Sequence, residues 1–201
     1  MLQEMLPYHA LTLTTFGKWD KVLAEPLPPE DIRFSYGMAS YATGVAHAAK
    51  GEWAEAQAAL DAVTTIDAAT PDGAEGKTSL SVAVHALSGE IATRRGDLDA
   101  GIDHFRDAAK IEDAGLYFEP PKWYHPIRHS LGAALLKAGR HAEAEKVYQE
   151  DLRRFPENGW SLFGLAQALR AQGKDTEAAA VDARFRRAWP DADVTLTASR
   201  F

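Results

Sequence analysis

Large apolar and small residues follow one another along this chain in a fixed order that comes round again. From Leu131 to Pro156 the sequence LGAALLKAGRHAEAEKVYQEDLRRFP aligns without a gap on LAQALRAQGKDTEAAAVDARFRRAWP, from Leu165 to Pro190. Leu131 and Leu135 match Leu165 and Leu169, four positions apart and therefore on one face of a helix. Gly132 matches Ala166, Glu143 matches Glu177 and Ala144 matches Ala178, while Pro156 and Pro190 close each copy where a helix cannot continue. Between the two helical runs of each copy stands a turn glycine, Gly139 or Gly173, and the same glycine occurs earlier as Gly17, Gly51 and Gly96. Gly17 to Gly51 and Gly139 to Gly173 both span 34 residues, a period that belongs to stacked helix-turn-helix units. The pattern predicts an all-α chain of about five helix pairs.

Setting each turn glycine at the same repeat position divides the chain into units at about 3–36, 37–81, 82–124, 125–158 and 159–192, with 193–201 as a tail. In the first unit the second helix should be short, because Pro26, Pro28 and Pro29 interrupt it. The second unit places Gly44, Gly51, Ala56 and Leu60 at the small, turn, small and large positions, and the third offers Gly89, Gly101, Phe105 and Ala108 at its packing positions. The middle units are longer by TPDGAEGKTS and IEDAGLYFEPPKWYHP, which should form loops or helix extensions on one edge. The tail is too short for another pair and is expected to cap the last helix.

The order of large, small, large, small and proline resembles the tetratricopeptide repeat, in which small residues let paired helices approach. That resemblance implies a right-handed superhelix of helix pairs, serving as a single non-catalytic scaffold that binds a protein or peptide. In that family the first helix of each pair lines a concave groove. Carried over by register, the groove residues are Met38, Tyr41 and Val45; Glu90, Thr93 and Arg94; His129, Ala133 and Lys137; and Trp160, Phe163, Gln167 and Arg170. Tyr41, Glu90, Arg94, His129, Lys137, Trp160, Phe163 and Arg170 are the expected partner contacts, a mixture of aromatics and charges suited to an extended peptide or helix with apolar and acidic groups. The subclass that clamps a carboxylate with two asparagines is not matched, since Asn158 is the one asparagine and falls outside the groove. GKWDKVLAEPLPPED, PPKWYHPIRHSLGAALLKAGR and NGWSLFGLAQALRAQGK together look like the C-terminal part of larger bacterial tetratricopeptide proteins.

Composition narrows the partners. Of 201 residues, 46% are hydrophobic and 25% charged, enough for a core. The formal net charge of −7 opposes a role on nucleic-acid phosphates, which calls for a basic face. Without cysteine there is no disulfide, thiolate metal site or cysteine nucleophile. The first residues lack a basic n-region and carry Glu4, and no apolar run approaches the roughly 18 residues of a membrane span. Cytoplasm is the default expectation, with periplasm equally compatible.

Four strings invite chemistry. GAEGKT, from Gly73 to Thr78, ends like a phosphate loop, but Pro71 stands where its first glycine should be and a helix precedes it instead of a strand. GWSLFG approaches a nucleophile elbow with the second glycine one residue late, so Ser161 reads as a helix-surface residue. His125 and His129, four apart, could share a helical face and chelate a divalent ion if His85, with Glu90 and Tyr124 near, supplied the rest. That gives a rival reading, a metal- or small-molecule-binding protein; the favoured reading carries no cofactor. Glu119 to Arg128, with Trp123 and Tyr124 among prolines, reads as a pinned connection, with a recognition loop as the alternative. His9 and His47 are expected in the core, His104 and His141 at the surface. Arg184, Arg186 and Arg187 suit the C-terminus of the last helix, and an apolar terminal face could pair two copies.

Overall fold

A computed structural model describes residues 6–115 and 121–200. Those residues form ten α-helices and no strand: α1 Tyr8–Thr15, α2 Trp19–Ala24, α3 Arg33–Lys50, α4 Trp53–Ala69, α5 Lys77–Arg95, α6 Leu98–Ala114, α7 Ile127–Lys137, α8 His141–Arg154, α9 Gly159–Arg170 and α10 Asp175–Ala188. The helices pack as hairpins in sequence order, α1 with α2, α3 with α4, α5 with α6, α7 with α8 and α9 with α10. The fold is the all-helical repeat architecture that the periodicity predicts.

The turn glycines make the hairpins. Gly17, Gly51, Gly96, Gly139 and Gly173 have φ of 62°, 75°, 94°, 72° and 73°, a left-handed conformation that a β-carbon penalises. The next residue then turns its N–H back to a carbonyl five positions earlier: Lys18 to Leu13, Glu52 to His47, Asp97 to Ala92, Arg140 to Leu135 and Lys174 to Leu169, all at 2.9–3.0 Å. This bond satisfies a carbonyl that the ending helix leaves open and aims the chain into the second helix.

The chain forms two compact units, 1–125 and 126–201, parting beside the expected boundary between the third and fourth repeats. In the first, α2 has six residues and stops before Pro26, while only a part of the extra length becomes helix, 77–79 at the start of α5 and 111–114 at the end of α6. α3 and α5 interlock through glycine: a β-carbon on Gly44 would lie 2.6 Å from Leu87 Cδ2, and one on Gly37 would lie 2.7 Å from Leu80 Cδ2. Gly89 takes the ring of Phe105 from α6. In the second unit α7 packs on α8 and α9, and α9 on α8 and α10, around Leu135, Ala144, Tyr148 and Leu162. Among the described residues no helix is long and apolar enough to cross a membrane.

Candidate partner-binding site

In the second unit Tyr148 of α8 runs its ring between α7 and α9. It passes Gly132 on one side and Gly164 on the other, and a β-carbon at either would collide with the ring. Its hydroxyl meets Ser199 Oγ at 2.6 Å, and Ser199 Oγ donates to the His129 carbonyl at 2.9 Å. A serine hydroxyl has a single hydrogen, so Tyr148 is the donor to Ser199. Burial pushes the Tyr148 phenol well above its usual range and keeps it in that donor form.

Ser199 belongs to the tail, which was expected to cap the last helix and instead crosses α9 to reach α7. Gln167 Nε2 of α9 donates to the Thr197 carbonyl at 3.3 Å. Leu196 and Ser199 are buried, and Thr195 and Thr197 between and beside them are exposed. The tail is not a helix stop because its leucine and serine find places on the packed helices that an end-cap would leave empty.

Beneath this lies a buried polar cluster. Asp151 of α8 accepts on Oδ2 from Ser161 Oγ at 2.5 Å and from His129 Nε2 at 3.2 Å, and all three side chains are buried. Ser161 is therefore not the surface residue expected. It occupies a position facing α8, where Asp151 gives its hydroxyl an acceptor. The arrangement is no nucleophilic triad either, since the serine bonds the carboxylate and not the imidazole.

α9 carries a mixed stripe. Trp160 sits edge-on to Trp189 at 5.8 Å, Phe163 lies 5.9 Å from Phe185, and Arg170 pairs with Asp182. Trp160, Phe163 and Gln167 are half-buried, and Arg170 and Lys137 are exposed. Trp160, Phe163, Arg170 and Lys137 are the expected partner contacts that remain accessible in this unit, with Gln167 of the wider groove set among them.

Five other expected groove residues are buried: Met38, Tyr41, Val45, Glu90 and His129. His129 is held by Asp151. Tyr41 is 1% exposed, with its hydroxyl 3.1 Å from that of Tyr124 and its ring edge-on to Trp123 at 5.2 Å. Trp123 and Tyr124 thus pin the connection onto α3; Glu119 and Pro120 of that segment lie outside the described residues. Glu90 accepts from Arg94 at 3.2 Å while 6% exposed, and the Arg94 guanidinium stands 5.7 Å over Trp19. These side chains answer neighbouring helices and connections, which a position-by-position transfer of register does not include.

The histidines of the metal reading are not brought onto one helix. His125 precedes the Pro126 cap of α7 and is not on the helix with His129; it packs at 4.5 Å against Tyr124. His85 lies 6.0 Å from His104. Among the described residues no three His, Asp or Glu side chains are grouped to hold a metal. Lys77 of the phosphate-loop-like string is tied to Asp67, 3.0 Å away, and to its carbonyl at 2.8 Å. His9, expected in the core, is exposed and 3.2 Å from Glu25, and His47 is half-buried at 2.7 Å from Glu52. His104 and His141, expected at the surface, are half-buried. Arg184 bonds Glu157 at 2.7 Å.

The signal that sequence reasoning passed over is the pair Gly132 and Gly164 flanking an aromatic on the intervening helix, together with Asp151 at a repeat position that is apolar in its counterparts Val63, Ala108 and Phe185.

Compared with known proteins, residues 129–193 match the tetratricopeptide repeat family model. No curated protein matches the chain. A solved structure titled MamA AMB-1 is similar in fold, with a TM-score of 0.50 at 17% identity, over 96% of this chain and 94% of that one.

Proposed function

We propose that this chain, whose residues 129–193 match the tetratricopeptide repeat family model, is a non-catalytic interaction scaffold that receives an extended partner segment on the side of α7 and α9. The observation that carries this reading is the accessible stripe on α9 with Lys137 of α7 beside it. Trp160 and Phe163 offer aromatic surface, Gln167 offers an amide that already holds a main-chain carbonyl, and Lys137 and Arg170 are exposed cations. Aromatic and arginine side chains dominate the energetics of recognition, and an amide that reads a carbonyl accepts any sequence in extended form. The partner that fits has apolar side chains and an acidic group. Ser161, Asp151 and His129 are occupied with one another, which supports the non-catalytic part of the reading.

The test begins with partner capture from a lysate on the full chain, followed by affinity measurement on single variants. Phe163→Ala and Gln167→Ala should each weaken binding by about 1 to 3 kcal/mol, Lys137→Glu should do so more at low salt than at high, and Glu55→Ala on α4 should be silent. Unchanged affinity in all three α7–α9 variants rules this face out.

A further inference from the structure

The side of α7 and α9 described above already holds an extended segment, and that segment belongs to the same chain. From Asp193 to Ala198 its exposure alternates: 193, 195 and 197 are exposed, whereas 194, 196 and 198 are covered, with Leu196 buried. That is the period of an extended strand laid on a surface by one face. No helix or sheet holds residues 194–200, and a bend at 197–199 turns Ser199 inward as Leu196 is, so their order comes from side-chain and carbonyl contacts with the helices.

Those contacts form a built site. Gln167 reads a main-chain carbonyl, a group that every extended segment presents. Leu196 supplies the apolar anchor. Ser199 is 1% exposed and uses its hydroxyl fully, donating to the His129 carbonyl and accepting from Tyr148. The Tyr148 hydroxyl gets there only because Gly132 and Gly164 leave room for its ring. A slot so lined accepts a small hydroxyl side chain; alanine leaves a buried phenol without its acceptor, and a large or charged residue does not fit.

We propose that residues 194–200 are an internal ligand. They hold the α7–α9 face in cis and yield it to a partner segment that presents a leucine in extended form and, three residues later across a bend, a serine. The proposal rests on the reading of that face as a partner surface and names what the face selects and what guards it.

A fluorescent peptide with the sequence of residues 193–200 tests it against the full chain. Bound to the unaltered chain it should be at least tenfold weaker than to the full-length Leu196→Asp, Ser199→Glu double variant, whose own segment is released. In that background the peptide should be preferred at least tenfold over the same peptide with alanine for serine, and Tyr148→Phe should cut the preference below threefold. With no substitution, an excess of unlabelled peptide should speed hydrogen exchange at the amides of 196 and 199 in the chain itself, a readout that holds even if a variant folds poorly. If those amides exchange in the unaltered chain as fast as in the free peptide, the internal ligand is refuted and the partner face is untouched. If they are protected and freed by the double substitution, yet the peptide binds neither form, the internal ligand and the partner face fall together.

Discussion

Phe105 and Tyr148 stand at the same repeat position in the two compact units, as do Ala108 and Asp151, and the surroundings of each pair have gone separate ways. In the first unit the ring of Phe105 fills the space over Gly89 and Ala108 is an inert small residue, fully buried. In the second the ring of Tyr148 fills the space between two glycines, but its hydroxyl passes through to Ser199, and the buried Asp151 draws in His129 and Ser161. One phenolic oxygen and one carboxylate turn an apolar packing layer into a polar relay that reaches the tail. The backbone recipe tolerates both because the turn glycines and helix lengths, rather than the packing chemistry, set the hairpin.

Exchanging the distinguishing residues breaks the comparison hardest. Ala108→Asp places a carboxylate in a layer with no Ser161 or His129 to meet it and should cost about 4 kcal/mol or more. The reverse change, Asp151→Ala, leaves the His129 and Ser161 side chains without their shared acceptor and should cost about 3 kcal/mol. Denaturant melts combined with residue-level hydrogen exchange assign each loss to its unit, and a negligible cost of Asp151→Ala would mean that Asp151 is not held by its partners.

Glycine substitutions sharpen the comparison next. Gly164→Ala gains about 1 kcal/mol of helix propensity but drives a β-carbon into the rigid Tyr148 ring, for a net loss of about 2 kcal/mol. Gly37→Ala meets the movable end of Leu80, with Ile66 Cγ2 next at 3.3 Å, and should lose less than about 1 kcal/mol net. Tyr148→Phe keeps the ring and removes the donor to Ser199, which should cost about 1 kcal/mol. At the turns the units should behave alike. Gly96→Ala and Gly173→Ala meet nothing within 4 Å, so each should lose only what a left-handed backbone costs, about 1 to 2 kcal/mol. A marked difference between these two would show that the turns are not equivalent after all.

The smallest effect is one of pH. Lys174 bonds Glu145 at 2.6 Å and, with help from Gln172, holds its carboxyl below the usual carboxylate range. A lowered folded-state pKa means that the contribution is complete above the ordinary carboxylate range and is lost as pH falls through the lowered value. Lys174→Met should therefore reduce stability at neutral pH slightly and flatten its decline in acid; an unchanged acid limb would show that this pair has no part in the acid response.

The hairpins were legible because their determinants are local. A glycine after a helix, a repeated leucine spacing and a closing proline act over a few residues, and all five turns follow them. The site was less legible. Tyr41 sits at a position that should face a groove, and the connection carrying Trp123 and Tyr124 covers it, a contact across 83 residues that no repeat position encodes. Ser161 and Asp151, ten residues apart on different helices, explain each other only once α8 and α9 are side by side. A period tells which side chains point inward; it does not tell which of them meet.

The bond from Ser199 to the His129 carbonyl joins residues 70 apart, while each turn bond closes a loop of five. Loop-closure entropy grows with the length enclosed, and interactions between residues distant in sequence form after local ones. The hairpins of the second unit therefore assemble first and the tail settles onto a surface already made. What docks last is also among the first to come away on warming, since the tail secures few residues of its own. A rise in temperature or a little denaturant should lift residues 194–200 while α7 to α10 remain folded, so the protein would pass through an open form well before it unfolds.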